Sequence, residues 1–391
     1  MIERNSYLIN LSTAIKRSPV TALLGPRQCG KTTLAREFAN EKYSGTSVQV
    51  TRFDLESLPD IRRLQNPELV LGSLEGLVII DEIQEMPELF SVLRILVDRP
   101  ENRTRFLILG SASPFIIHNV SETLAGRVEF IELSGFDLSE IKGENWEKLW
   151  LYGGFPRAYL SGSDEDSLAW REGFIRTFLE RDIPLLGITI PPAAIRRFWT
   201  MLAHYHGQTW NASELARSMG TSDKTVRSYL DILTGTFMIR QLQPWYENIG
   251  KRQVKAPKIY FRDSGLLHSL LGLPDRYSLL GHPKVGASWE GFALEQVLQA
   301  ARRRSGKAPE AYFWATYNNA ELDLFFQDRG HRYGVEAKFS EAPKVTPFMR
   351  IAIETLKLDH LWIVYPGRQK YPAHEKITVL PLAEADEFAY I

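Results

Sequence analysis

At 391 residues the chain exceeds what one hydrophobic core serves and points to two to four domains. Apolar residues make up 44% and charged residues 24%, which excludes a disordered or fibrous chain, and a formal charge of zero excludes a molecule that draws polyanions over its whole surface. The single cysteine, Cys29, excludes an intrachain disulfide framework, and no apolar run reaches the ~18 residues of a membrane span. The N-terminus also lacks a secretory signal, so a cytoplasmic protein with no membrane partner is expected.

The first third alternates two periods. Leu8 to Ile15 reads as a helix, Val20 to Leu24 as a buried strand, and Thr32 to Ala39 as a second helix. Strands follow at Val48 to Phe53, Leu77 to Ile80 and Phe106 to Leu109, with a helix at Leu89 to Val97. Apolar strands spaced by helices predict βαβ units and a parallel sheet buried on both faces. From Trp146 to Met201 the pattern is mostly helical, and a short helical unit covers Asn211 to Leu233. Strands return at Ala311 to Trp314, Leu322 to Phe326, Tyr333 to Ala337 and Leu361 to Val364.

Between the first strand and its helix, Gly25-Pro26-Arg27-Gln28-Cys29-Gly30-Lys31-Thr32 fits the phosphate-binding pattern G-x-x-x-x-G-K-[ST]. Its glycines let successive backbone N–H groups, through to Thr33, close around phosphate oxygens at a helix N-terminus. ATP is the expected ligand, with Lys31 reaching the β- and γ-phosphates and Thr32 ligating Mg2+. The strand Leu77-Val78-Ile79-Ile80 ends in Asp81 and Glu82. Asp81 is placed to hold the magnesium shell and Glu82 to polarise the attacking water. A third strand ends in Gly110-Ser111-Ala112-Ser113; Ser111, in preference to Ser113, is the candidate partner of the γ-phosphate or the water, and a helix N-cap is the plainer role. Arg127, after Leu124-Ala125-Gly126, is read as a stabiliser of transition-state charge on a neighbouring subunit, hence a homo-oligomer; a surface ion pair is the competing reading. Cys29, among phosphate-facing amides, is compatible with a reactive thiol of lowered pKa and equally with a small buried side chain.

Together with Gly153-Gly154-Phe155-Pro156, these motifs resemble the AAA-type prokaryotic ATPases of a group whose C-terminal half was catalogued as a domain of unknown function. The resemblance covers essentially the whole chain. It implies an AAA+ core, with Pro156 near the adenine and Arg157 as a second phosphate sensor.

Ser213 to Gly220 followed by Thr221 to Leu230 reads as helix, glycine turn, helix, with Leu215, Ala216, Val226, Leu230 and Leu233 as its shared core. Lys224, Thr225, Arg227 and Ser228 lie on the outer side of the second helix, where a recognition helix meets DNA, and Lys251-Arg252-Gln253-Val254-Lys255 suits a basic wing. A rigid spacer is an equally open role. His204 and His206, two residues apart on a helix, point away from each other and do not form a metal pair.

In the last third, Glu290 sits on an amphipathic helix opening at Gly286, Asp323 follows Glu321 and Leu322 into one strand, and Glu336-Ala337-Lys338 ends the next. This order resembles the PD-(D/E)XK nuclease fold. Period-two geometry puts Glu336 and Lys338 on one face. Asp323 and Glu336 then share Mg2+ or Mn2+, with the Ala337 carbonyl as a further ligand, and Lys338 orients the attacking water. Charged residues on an ordinary hairpin are the bland alternative. Arg302, Arg303, Arg304 and Lys307 read either as a phosphate-contact patch or as a solvated basic turn.

The expected architecture is α/β: an AAA+ P-loop core over 1–145, a helical lid over 146–200, a winged helix-turn-helix over 201–265 and a nuclease-like α/β domain over 266–391. Two functions fit it. One is an ATPase that couples nucleotide state to DNA binding and cleavage; the other is an ATP/ADP-driven regulatory switch whose nuclease-like domain is a silent docking module.

Overall fold

The computed structural model describes residues 2–111, 122–141, 143, 145–186, 188, 190–246, 255–305, 308–316 and 320–389. Two compact units emerge, Met1–Gly135 with Gly235–Phe237, and Phe136–Thr234 with Met238–Ile391. The stretches read from sequence as lid, helix-turn-helix and nuclease-like domain fall largely within the second.

The first unit is built on five parallel strands, β1 (Val20–Gly25), β2 (Val50–Asp54), β3 (Gly76–Asp81), β4 (Thr104–Ser111) and β5 (Val128–Glu132), in the order β2-β3-β4-β1-β5. Strand side chains alternate between faces, and both faces are buried. Val20, Ala22, Leu24, Val78, Ile80, Phe106 and Ile108 pack with the helix Leu89–Val97. Leu23, Leu77, Ile79, Leu107 and Leu109 pack with the helices Asn5–Arg17 and Lys31–Tyr43. After β1 the chain crosses to β2 at one edge, and after β4 it passes to β5 on the other side of β1. Open α/β sheets bind ligands at the carboxyl ends of strands where crossovers diverge in this way. The P-loop stands at that end of β1.

The second unit holds a nine-stranded mixed sheet. Its strands are β6 (Gln208–Thr209), β7 (Ile239–Pro244), β8 (Lys258–Phe261), β9 (Ala311–Ala315), β10 (Glu321–Asp328), β11 (His331–Ala337), β12 (His360–Tyr365), β13 (Tyr371–His374) and β14 (Ile377–Pro381), in the order β13-β14-β12-β11-β10-β9-β7-β8-β6. The strands β7 and β8, which flank the expected wing, are continuous with the C-terminal strands through a parallel pairing of Gln243 with Tyr312 and Pro244 with Phe313. The helices Ala212–Met219 and Asp223–Gly235, turned at Gly220, bury Leu215, Ala216, Val226, Leu230 and Leu233 against Phe198, Trp199 and Phe261. Within the stretch Trp146 to Met201 expected to be mostly helical, the helix Asp164–Thr177 continues through a π-helical turn, Phe178–Asp182.

Candidate functional site

In the P-loop, Gln28 and Gly30 take positive φ values of 62° and 101°, and Gly30 opens the helix that begins at Lys31. These left-handed turns aim backbone N–H groups into the loop's concavity. Lys31 is buried, its ammonium donating to Gly25 O at 3.1 Å and Pro26 O at 2.9 Å. The Thr32 hydroxyl donates to Asp81 Oδ2 at 2.7 Å, so the residues expected to share Mg2+ converge from β3 and the first helical turn. Burial raises the Asp81 pKa, the Thr32 hydrogen bond opposes that, and the neighbouring Glu82 charge adds to it. Such a carboxylate, removed from water beside a hydroxyl and an ammonium, suits a divalent cation.

Glu82 is held in the left-handed region at φ 52°, ψ 50°, a conformation that costs a side-chain-bearing residue ~1 kcal/mol or more. Asp81 Oδ1 accepts its backbone N–H at 3.0 Å, and the Gln84 amide donates to its carboxylate. The strained turn therefore fixes the expected base. Ser111 pairs with Gly25 in the β1–β4 register, at the same carboxyl edge, and among the described residues its buried hydroxyl has no hydrogen-bond partner. Ser113 lies outside the described residues.

Two sequence readings are sharpened by the structure, and a third residue is added. The Cys29 side chain is 0% exposed among Tyr7, Leu8 and Leu34, and burial raises its thiol pKa despite nearby Lys31 and Arg4. The reactive-thiol expectation is therefore corrected: Cys29 is core, and only its backbone serves the loop. Arg127 makes a two-bonded ion pair with Asp98, at 2.6 and 2.8 Å, as its competing reading anticipated. It precedes β5 opposite Val20, the far end of β1 from the P-loop, ~16 Å away at strand rise. Its side chain cannot reach its own nucleotide site, so a phosphate role requires a neighbouring subunit. Arg4 was not singled out by its sequence position. It is buried and donates to Cys29 O, Ser134 O and Gly135 O, each at 3.1 Å, bracing the P-loop from behind.

A second constellation forms in the other unit. The antiparallel register of β10 and β11 pairs Leu324 with Val335, which sets Asp323 directly across from Glu336. A register shift against β9 between Leu322 and Phe325 gives β10 one extra residue in the stretch Asp323-Leu324, a bulge of the kind that occurs beside functional sites. Asp323 Oδ2 accepts the Ala337 N–H at 2.9 Å, and Lys338 Nζ lies 2.7 Å from Glu336 Oε2. Asp323 and Glu336 are 6% and 4% exposed. Burial raises the Glu336 pKa well above the usual carboxylate range and the Asp323 charge adds to it, with Lys338 opposing. Burial pulls Lys338 down, but Glu336, Asp323 and Glu290 outweigh it and raise its pKa. Glu290 joins from the helix Val285–Ser305; burial and Asp323 push it up to about 7.

Sequence reasoning missed two members. Lys258 and Tyr260 share one face of β8: Tyr260 donates its hydroxyl to Glu290 Oε1 at 2.5 Å, and Lys258 Nζ lies 3.4 Å from the same oxygen and also contacts Glu321. Their signal was a polar residue at every second position of the apolar strand Lys258-Ile259-Tyr260-Phe261. Among the described residues, no three His, Cys, Asp or Glu side chains form a ready-made metal cage. Two carboxylates and the Ala337 carbonyl remain as the donor set, chemistry that suits a hard cation.

The remaining expected residues are placed as follows. Lys224, Arg227 and Ser228 are exposed on the outer side of their helix, while Thr225 is bonded to Ser222 at the helix start. Lys251, Arg252 and Lys307 lie outside the described residues. Of the basic run at the end of its helix, Arg303 pairs with buried Asp137 and Arg304 with Asp328. Pro156 opens a short helix within the second unit, after Gly154, whose N–H donates to Asp263 at 2.8 Å, and Arg157 is exposed. His204 is exposed and His206 buried, but the helix expected to carry both ends at His204 and His206 lies in the turn after it, so helical spacing is not what separates them.

Residues 17–142 match the AAA domain family, residues 143–277 the Domain of unknown function (DUF8612) and residues 285–385 the Domain of unknown function (DUF4143). The chain is 49% identical over 382 residues to the "Uncharacterized protein Rv2008c" of Mycobacterium tuberculosis, covering 97% of this chain and 84% of that protein. This chain belongs to the Rv2008c family. The same figures hold for the "Uncharacterized protein Mb2031c" of Mycobacterium bovis. Among solved structures, a Walker-type ATPase of Pyrococcus abyssi overlays with a TM-score of 0.49 at 16% identity, covering 69% of this chain and 96% of that one. In this member of the Rv2008c family the AAA domain is the α/β P-loop unit, and no described helix is long and apolar enough to cross a membrane. The DUF4143 segment carries Glu290, Asp323, Glu336 and Lys338.

Proposed function

We propose that this protein is a Mg2+-dependent ATPase whose nucleotide state governs DNA binding and metal-dependent cleavage of DNA at the Asp323–Glu336–Lys338 cluster. The ATPase half rests on the convergence of Lys31, Thr32, Asp81 and Glu82 at one sheet edge. Lys31 would hold the β- and γ-phosphates, Thr32 and Asp81 the magnesium shell, and Glu82 would take the proton of the attacking water, with Ser111 bonded to that water or to the γ-phosphate. Pro156 is assigned to the adenine, Arg127 to the nucleotide of an adjoining subunit, and Lys224, Thr225 and Arg227 to DNA.

The observation that carries the cleavage half is the placement of Asp323 against Glu336 across the β10–β11 hairpin, where β10 is bulged against β9, with Lys338 bonded to Glu336. Asp323, Glu336 and the Ala337 carbonyl would hold the cation, which when bound stabilises charge on the scissile phosphate. Lys338 orients water toward the phosphorus, and Glu290 completes the acidic wall. The second reading, a nucleotide-driven switch with a silent docking module, is favoured by the lack of a three-residue metal cage among the described residues. Incubation of purified protein with plasmid and linear DNA plus Mg2+ or Mn2+ separates the two. Cleavage that vanishes in Asp323→Ala and Lys338→Ala supports the enzyme; no cleavage under any nucleotide condition, with ATP turnover intact, supports the switch.

A further inference from the structure

The acidic cluster contains more than the motif that points to it. Four carboxylates, Glu290, Glu321, Asp323 and Glu336, face two ammonium groups, Lys258 and Lys338. Fully ionised, the group carries a formal charge of −2, which one divalent cation neutralises. Lys338 is accounted for as part of the motif, whereas Lys258 is not. It comes from β8, a strand hydrogen-bonded to β6 and β7 beside the helix-turn-helix and belonging to a different family segment from the other charged members. An ammonium group that is only 5% exposed is rare unless paired, and here it reaches Glu290 at 3.4 Å and Glu321 in direct contact, over the face of Phe313 at 5.6 Å. Tyr260, two residues on and therefore on the same face, clamps the same Glu290 oxygen.

We propose that Lys258 is the built-in counter-ion of the acidic site, a positioning residue that limits it to a single divalent cation and competes electrostatically with that cation. This rests on the reading of the cluster as a metal site. The physical consequence is direct. Replacing Lys258 by methionine keeps the stem's volume and its contact with Phe313 but leaves the formal charge at −3, so a divalent ion should be held more tightly. Even at the dielectric constant of water, a unit charge and a divalent ion ~5 Å apart interact strongly enough to change the affinity at least ~10-fold.

Mn2+ binding to the full-length protein, without nucleotide, tests this by calorimetry and by the loss of the free-ion EPR signal. Wild type should bind one Mn2+ that Asp323→Asn removes. Lys258→Met should bind Mn2+ at least ~10-fold more tightly or take up a second ion, while Lys258→Arg, which keeps the charge, should stay within ~3-fold of wild type. Tyr260→Phe, which keeps the charge and frees Glu290, should weaken binding without changing stoichiometry. Unchanged or weaker binding in a folded Lys258→Met protein, with wild type binding normally, overturns the counter-ion role alone. An absence of Asp323-dependent Mn2+ binding in both wild type and Lys258→Met overturns the metal-site reading beneath it. Should Lys258→Met fail to fold, Lys258→Gln gives the same neutral site, and an affinity equal to wild type there overturns the proposal.

Discussion

Glu82 shows how a single residue can be bent to a task. Its left-handed backbone is held by Asp81 on one side and Gln84 on the other, so its carboxylate is fixed before any substrate arrives. Glu82→Gln should keep nucleotide affinity within about threefold and lower phosphate release by ~10²-fold or more, because the amide cannot accept the water's proton. Lys31→Ala removes a charge-assisted contact to phosphate instead and should weaken binding of a fluorescent ATP analogue at least ~10-fold. Equal turnover by Glu82→Gln and wild type would remove Glu82 from the base role. Cys29 supplies a contrasting case. Buried in the core with a raised pKa, it should react with a thiol-specific disulfide reagent only at the rate of unfolding, and rapid reaction in native buffer would contradict its burial.

At the scale of elements, a close interlock joins the end of helix Trp146–Tyr152 to the helix Ser264–Leu270. A Cβ on Gly265 would lie 2.0 Å from Tyr152 O, a backbone atom with no room to yield. Gly173, inside helix Asp164–Thr177, has open space instead. Gly265→Ala should therefore destabilise by ~2 kcal/mol or more, whereas Gly173→Ala should stabilise by ~0.5–1 kcal/mol through helix propensity. Thermal melts of the two variants shifting in the same direction would contradict the packing described. Elements also mark what was legible in the sequence. The P-loop and the β3 carboxylates were readable because each motif is contiguous and its flanking strand and helix have clear periods. The half-polar strand β5 alternates too weakly to be recognised, and the register that sets Asp323 against Glu336 was expected only from a resemblance. Lys258 and Tyr260 escaped notice because their partner Glu290 is some thirty positions along the chain, and only the completed sheet brings them together. Arg4 likewise gains its role from Ser134 and Gly135, far away in sequence.

Across the whole molecule, stability should depend on pH most through the two most deeply buried of the described histidines. His206 Nδ1 accepts the Phe261 N–H at 3.0 Å, and His268 lies between Leu151 O at 3.0 Å and Ser288 Oγ at 2.7 Å. Burial brings both down from the ordinary 6.5 to about 3. Below 6.5 the unfolded chain binds protons that the folded one refuses, so their stabilisation is fully present above 6.5 and lost as pH falls toward 3. Buried carboxyls of raised pKa, such as Asp263, act with the opposite sign, so the histidine effect is best read as a difference. Wild type should lose ~1.4 kcal/mol more per pH unit than His268→Gln between pH 6 and 4, and equal slopes would contradict the burial of a neutral ring.

On the proposed function, nucleotide held at Lys31 and Thr32 controls chemistry at Asp323 and Glu336. The most direct test follows cleavage of end-labelled DNA in Mn2+ by wild type and by Lys31→Ala, each without nucleotide, with ATP and with a non-hydrolysable ATP analogue. The wild-type rate should change severalfold with nucleotide state, and the Lys31→Ala rate should be indifferent to it. Cleavage by wild type that is identical under all three conditions, or absent from all three, would contradict it.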